Sequence, residues 1–433
     1  MQSCRKRQIN TKTRHSSGTR TNRKAKGPQA ACAMEGKIMI AEKMKPLMAN
    51  NSAIRTMFEE GDKMRAQFGA ENVYDFSLGN PDAPVPTEIA KAIRDLLEEE
   101  DSGVLHGYMS NAGFEDVRET IAASLNGRFG TDFHAGNILM TVGAASGLNV
   151  ALKTILNPGE EVVIFAPYFL EYNWYVANFD GKVVQAPTDR ETFYPDLDAF
   201  EQLIGPKTRV VLINTPNNPT GVVYREETIR RIAEILEKKQ QELGRTIFLL
   251  SDEPYRELAY GGVEVPYVTK YYDNTIVAYS FSKSLSLPGE RIGYLVIPSE
   301  LEESELVFDT ASNANRIIGC VNAPSLQQKV IGRCIDVKVD LDYYDRNRTA
   351  LYEGLKGCGF DCIKPEGAFY MFLKSPVEDE NQFCAAAKKY NILLVPGTAF
   401  ACPGYVRLAY CVSYETIQNA MPGFQKLAAE YGL

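Results

Sequence analysis

The feature that most constrains this chain is an alternation. Between residues 138 and 297, seven short runs rich in Val, Ile, Leu and Phe recur, at Ile138–Val142, Glu161–Phe165, Lys182–Val184, Arg209–Ile213, Thr246–Leu250, Thr275–Tyr279 and Ile292–Ile297. Several are continuously apolar, as strands are when both faces are covered. Helical patterns such as Ser146–Leu156 and Glu226–Glu242 separate several of them. Strand and helix in turn predict an α/β fold around a seven-stranded, mostly parallel sheet. Sheets of that kind bind ligands outside the carboxyl ends of their strands. The residues that close each run are therefore the first place to look for chemistry.

The flanks read differently. With 433 residues the chain is long enough for two domains. Ser52 is placed to N-cap a helix through about Gln67, and Val73–Leu78 reads as a short strand. A helix over Thr87–Glu100 carries Ile89, Ile93 and Leu97 at helical spacing, and another from Gly113 carries Val117, Ile121 and Leu125. Beyond about residue 320 come a long helix near Asp340–Leu355, strands at Ala368–Leu373, Ile392–Val395 and Val406–Val412, and a closing helix at Tyr414–Tyr431. These predict a smaller α+β domain over 326–433, joined by residues 39–87, around a large ligand-binding domain at 88–325. Residues 1–33 hold nine Lys and Arg and no acid, against 38 basic and 55 acidic groups in the remainder. That composition predicts a disordered basic extension over residues 1–38, outside the folded protein.

Charge and composition exclude several classes. A net charge of -8 argues against nucleic acid as a partner. No apolar run approaches the roughly 20 residues that span a bilayer. The nine cysteines are odd in number and scattered, with no Cys-x-x-Cys pair, which suggests reduced thiols in a cytoplasmic protein rather than a disulfide framework or a metal site. Only three histidines are present, so His-based catalysis starts with little support.

The strongest chemical signal follows the run at 275–279: Ser280-Phe-Ser282-Lys283-Ser-Leu-Ser-Leu-Pro-Gly-Glu-Arg291. A lysine with hydroxyls at positions −3 and −1 and an arginine at +8 suits an amine nucleophile beside a phosphate clamp. A dry pocket would lower the amine's pKa. Taken alone, the segment also fits a loop with a solvated lysine and arginine. Three more segments close apolar runs: Thr141-Val-Gly143-Ala144-Ala145-Ser146, Asn214-Thr-Pro-Asn-Asn218-Pro219-Thr-Gly221, and Ser251-Asp252-Glu253-Pro-Tyr255. Singly, these read equally well as a small-residue turn, an Asn-Pro turn and an N-cap.

Together, in this order and spacing, they resemble the class I/II aminotransferases of the aspartate aminotransferase family, from about residue 40 onward. The resemblance implies fold type I and the cofactor pyridoxal 5′-phosphate, held on Lys283 as a Schiff base. It implies Asp252 at the pyridine nitrogen, Asn218 and Tyr255 at the ring oxygen, and Phe169 of Pro167-Tyr-Phe169 on the ring face. Gly143, Ala144, Ala145, Ser280, Ser282 and Arg291 would surround the phosphate. Tyr108 of His106-Gly-Tyr108 would reach the phosphate of a neighbouring subunit, which makes the protein a homodimer with shared sites. Gly79 of Leu78-Gly79-Asn-Pro81 and Arg407 of Tyr405-Val-Arg407 would meet the substrate, Arg407 through its α-carboxylate. Cis peptides are expected at Ala166–Pro167 and Asn218–Pro219.

The implied reaction moves an amino group between an amino acid and a 2-oxo acid such as 2-oxoglutarate, by ping-pong chemistry through Lys283. Lys153 matches a position where some bacterial aspartate aminotransferases hold the distal carboxylate, which favours aspartate. A solvated helix lysine is an equal reading. Those enzymes also carry hydroxyls in an N-terminal Lys-Pro segment that here reads Lys45-Pro-Leu47-Met-Ala49, which speaks against aspartate. A carbon–sulfur β-lyase on the same fold is the alternative reaction. A transcription regulator built on this fold would need helix-turn-helix helices, and residues 1–50 show no such pattern.

Overall fold

The computed structural model describes residues 40–45 and 53–433. Glu42–Met44 is a single 3-10 turn. The expected cap at Ser52 lies outside the described residues, and the helix it was to open spans Ala53–Phe68.

The strands are β1 Tyr74–Asp75, β2 Ile138–Thr141, β3 Glu161–Phe165, β4 Lys182–Ala186, β5 Thr208–Asn214, β6 Phe248–Asp252, β7 Thr275–Ser280, β8 Gly293–Val296, β9 Tyr370–Lys374, β10 Ile392–Leu393, β11 Val395–Pro396 and β12 Tyr405–Ala409. All seven apolar runs enter one seven-stranded sheet of order β2-β8-β7-β6-β5-β3-β4. Only β8 runs antiparallel to its neighbours β2 and β7. The interior strands β6, β7 and β8 are buried along their whole length, while the edge strand β4 is mostly open. That explains the continuous apolar runs: helices cover both faces of the sheet.

The sheet register positions the site. Asn214 pairs with Asp252, and Asp252 with Ala278 two residues before the end of β7. Ser280 and Thr141 both pair with Gly293. The carboxyl ends of β5, β6, β7 and β2 therefore stand side by side. A run read from hydropathy as Thr246–Leu250 is a strand over Phe248–Asp252, because the backbone ladder to β5 continues through the polar Ser251 and Asp252.

The C-terminal part carries an antiparallel sheet β11-β12-β9, and β1 pairs in parallel with β10, so residues 74–75 join the C-terminal fold. Its core includes Phe76, Tyr344, Leu351, Phe369, Phe383 and Phe424. Asp340 caps the helix Leu341–Gly357 by accepting from the Asp342 amide.

One spacing expectation is corrected. On the helix Thr87–Glu99 the buried line is Ile89, Ala92 and Leu96, whereas Leu97 is 56% exposed. At 3.6 residues per turn an i+7 neighbour returns to within about 20° of the starting direction, but an i+8 neighbour is rotated about 80° away. The neighbouring helix Glu115–Phe129 does bury Val117, Ile121 and Leu125. Short helices at Glu171–Ala177, Ser304–Ile317, Ser325–Arg333 and Glu380–Lys388 complete the layers and were not anticipated from periodicity.

Candidate active site

A cavity of about 330 Å³ opens at the carboxyl ends of the strands. Its lining brings together Lys283, Asp252, Asn218, Tyr255, Ser280, Ser282, Arg291, Arg407, Phe169, Gly79, Ala144 and Ala145, all singled out from the sequence.

Lys283 sits on the short helix Phe281–Ser284 that directly follows β7, and Ser280 caps that helix by accepting from the Ser282 amide. Lys283 Nζ donates to the Gly79 carbonyl at 2.7 Å and lies 5.2 Å from the Phe369 ring centroid. Burial pulls its amine down to about 8; nearby Arg407 and Arg291 push the same way, and Cys411 opposes them. An amine in that range is a competent nucleophile and base near neutral pH.

Asp252 ends β6 in full burial. Its Oδ2 accepts from the Tyr172 hydroxyl at 2.5 Å, while Oδ1 has no hydrogen-bond partner. Burial pushes the carboxyl up to about 7; the Tyr172 bond works against that, and Glu253 adds to it. A buried carboxylate oxygen with nothing to bind is costly, and it marks a place where a cationic or N–H group belongs.

Asn214 braces this end of the sheet. Its amide donates to the Asp252 carbonyl at 2.9 Å, and its Oδ1 accepts from the Asn218 backbone at 2.8 Å. Asn218 Oδ1 in turn accepts from Arg407 Nη1 at 3.0 Å. Arg407 is 2% exposed, donates through Nη2 to the Ser77 carbonyl at 2.7 Å, and keeps an unpartnered Nε. Its guanidinium lies over Tyr370, 4.3 Å from the ring centroid, and Tyr370 shares a 3.0 Å hydroxyl contact with Tyr255. The peptides at Ala166–Pro167 and Asn218–Pro219 are cis, as is Thr215–Pro216.

Two glycines are required sterically. A Cβ at Gly79 would lie 1.9 Å from the Tyr370 hydroxyl. Gly143 opens the helix Gly143–Ile155 at φ +78°, and a Cβ there would lie 2.9 Å from Arg291 Nη2. The turn thus presents bare backbone at a helix N-terminus beside a guanidinium, an arrangement suited to an anion. The hydroxyls of Ser280 and Ser282 stand 2.7 Å apart on the same side.

Two expected residues are elsewhere. Lys153 is exposed, with Nζ 5.6 Å from the Phe179 ring centroid, and does not line the cavity. Tyr108 is 94% exposed and borders a separate depression with His106, Met109 and Val321. Conversely, Tyr172, Asn214 and Tyr370 were not assigned roles from sequence. Tyr172 follows Phe169 by one helical turn, and Asn214 opens the Asn218 motif; Tyr370 carried no signal beyond its place in an apolar strand. Among the described residues no group of three His, Cys, Asp or Glu side chains could hold a metal ion.

Fold and site together place a buried lysine amine of lowered pKa in one cavity with two arginines and a buried carboxyl. The chain matches the family Aminotransferase class I and II over residues 71–423, and it belongs to that family. It is 31% identical over 399 residues to an aspartate aminotransferase from Pyrococcus horikoshii, covering 90% of this chain and 97% of the relative. It is likewise 31% identical to aromatic-amino-acid aminotransferase 2 from Thermococcus litoralis, covering 88% and 97%. A solved amino transferase from Eubacterium rectale superposes with a TM-score of 0.89 at 47% identity, covering 92% of this chain and all of the other. The protein is a pyridoxal-5′-phosphate-dependent aminotransferase.

Asp252 gives a prediction with a defined sign. Its folded pKa of about 7 lies above the unfolded value of about 3.9. The native state therefore binds the proton more tightly, and ionisation costs stability. That cost is absent below the unfolded pKa, grows as pH rises, and is complete above about 7, reaching at most about 4 kcal/mol. In the cofactor-free protein, Asp252→Asn should raise the thermal midpoint at pH 8, and the gain should shrink as pH falls from 7 toward 4. A pH-independent difference, or a more stable wild type at pH 8, would contradict the assignment.

Proposed function

We propose that Lys283 is the covalent anchor for the cofactor, with Asp252 at the ring nitrogen, Asn218 and Tyr255 at the ring oxygen and Phe169 on the ring face. Gly143, Ala144, Ala145, Ser280, Ser282 and Arg291 are proposed to hold the phosphate. The residues fit that group. The bare Asp252 Oδ1 suits a protonated ring nitrogen, and the glycine-led helix start with Arg291 suits a phosphate. The observation that carries the reading is the unpartnered, buried Asp252 Oδ1 in one cavity with Lys283 and Arg407.

When bound, the cofactor supplies an electrophilic carbonyl for the substrate amine and an electron-withdrawing ring that stabilises negative charge at the substrate Cα. The chain's own residues do the rest. Asp252, ionised by its cationic partner, keeps the ring nitrogen protonated. Arg407, oriented by Asn218 and the Ser77 carbonyl, binds the α-carboxylate and so aligns the Cα hydrogen. Lys283, its amine lowered to about 8, takes the proton from Cα and returns one to the next substrate. The aromatic side chains Phe169, Tyr172, Tyr255 and Tyr370 wall the cavity against water.

The donor amino acid is not set by kinship, since the two relatives above act on aspartate and on aromatic amino acids. Because Lys153 stands outside the cavity, the positional support for aspartate falls away. We further propose a homodimer in which Tyr108 enters the neighbouring subunit's site. Its near-complete exposure beside Val321, itself 37% exposed, supports this. A cytoplasmic location is in keeping with the seven described cysteines, all free.

Two measurements check this. Borohydride treatment of the holoenzyme should lock the cofactor onto the peptide carrying Lys283, and Lys283→Ala should lower turnover by roughly 10²–10⁴-fold or more. Label on any other lysine would remove the assignment. Sedimentation should give a dimer; a fully active stable monomer would rule out the shared site.

A further inference from the structure

Tyr370 lines the cavity and touches both halves of the site at once. It opens β9 and pairs with Ala409 of β12, while Arg407 of β12 pairs with Phe372. Tyr370 and Arg407 are therefore diagonal neighbours on one face of an antiparallel pair, within reach of an aromatic ring and a long side chain. The Arg407 guanidinium lies 4.3 Å from the Tyr370 ring centroid and 4.6 Å from that of Phe400. Stacking on an aromatic face fixes the plane of the guanidinium fork, and that plane decides where its N–H groups point.

The hydroxyl of Tyr370 makes a different contact. It stands 3.0 Å from the Tyr255 hydroxyl, and both side chains are buried. Gly79 leaves the space this hydroxyl fills, since a Cβ there would lie 1.9 Å from it. A phenol donates once and accepts through its lone pairs. With Tyr255 donating to the ring oxygen, its own oxygen accepts from Tyr370, and accepting a hydrogen bond makes a hydroxyl a stronger donor.

We propose that Tyr370 is a positioning residue with two separable effects: its ring holds the Arg407 guanidinium for the α-carboxylate, and its hydroxyl, acting through Tyr255, strengthens the hydrogen bond to the cofactor's ring oxygen. This rests on the readings of Arg407 as the α-carboxylate anchor and of Tyr255 as the ring-oxygen donor. A ring oxygen held by a stronger donor offers less negative charge to the protonated Lys283 imine, which then loses its proton at lower pH. A Tyr370 that only filled the core would alter thermal stability and leave both effects untouched.

The test uses the holoenzyme, its variants Tyr370→Phe and Tyr370→Leu, and two readouts. One is the pKa of the Lys283 imine, followed by absorbance. The other is affinity for 3-phenylpropionate, a monocarboxylate, by calorimetry below that pKa. Asp252, Tyr172, Tyr255, Arg291, Arg407 and Cys411, the titratable or charged groups around Lys283, stay in place in both variants. Tyr370→Phe keeps the ring and should raise the imine pKa by roughly half a unit or more, the net worth of one hydrogen bond, with affinity within about twofold of wild type. Tyr370→Leu should raise the imine pKa likewise and also weaken 3-phenylpropionate roughly fivefold to thirtyfold, as loss of a desolvated cation–π contact would. An imine pKa unmoved in Tyr370→Phe, affinity unchanged in Tyr370→Leu, or affinity weakened equally in both overturns the proposal. Should Tyr370→Leu fail to fold, the imine pKa of Tyr370→Phe still decides it. The underlying readings fail separately: 3-phenylpropionate binding that survives Arg407→Ala removes the anchor, and an imine pKa unmoved in Tyr255→Phe removes the ring-oxygen donor.

Discussion

A buried carboxyl group with one empty oxygen governs this molecule. Asp252 ends a strand held on both sides by parallel neighbours, so neither it nor its backbone can swing away to find water. Tyr172 satisfies one oxygen and the other faces the cavity without a partner. Left alone, the group would favour its proton, which is what burial imposes at about pH 7. The cationic ring nitrogen proposed to sit there would remove that cost and return the carboxylate to its charged form. The same parallel register that fixes Asp252 sets Asn214 beside it on one side and brings Ser280, three residues before Lys283, to the end of the adjacent strand β7 on the other. Cofactor chemistry thus follows from sheet geometry more than from any one motif.

The substrate side depends on a second constraint, in the loop after β1. Three successive carbonyls accept from three side chains of the C-terminal half and the lysine helix: Ser77 from Arg407, Leu78 from the Cys411 thiol at 3.6 Å, and Gly79 from Lys283. Two of these three donors, Arg407 and Lys283, are the groups proposed for substrate and cofactor. Tyr370 presses against Gly79 from the other side, leaving no room for a side chain. The first and last parts of the chain are tied to the lysine at one point, although more than 300 residues separate Ser77 from Arg407.

Much of this was legible in the sequence because burial on both faces writes strands as unbroken apolar runs. All seven runs became strands of one sheet, and the residues that close or follow β2, β5, β6 and β7 line the cavity. The limits of that legibility are physical too. Hydropathy placed β6 two residues early, since Ser251 and Asp252 are polar yet belong to the hydrogen-bonded ladder. Leu97 was grouped with Ile89 by a spacing of eight, and the helix turns it into solvent in favour of Leu96. Tyr370 and Tyr172 shape the site through contacts across the fold, which spacing along the chain does not encode. Lys153 shares the correct helix with the Gly143 turn but stands away from the cavity, because position along a helix does not by itself fix the direction of a long side chain.

The central claim is that Asp252, Lys283 and Arg407 form a site that transfers an amino group and keeps it on the enzyme. It is tested most directly by mixing the holoenzyme with an excess of a single amino acid and no 2-oxo acid acceptor. One equivalent of 2-oxo acid per subunit, with no ammonia released and turnover resuming only when an acceptor is added, is the predicted result. Continued release of 2-oxo acid together with ammonia from an amino acid carrying a β-leaving group such as cystathionine, without any acceptor, would contradict it and identify a lyase.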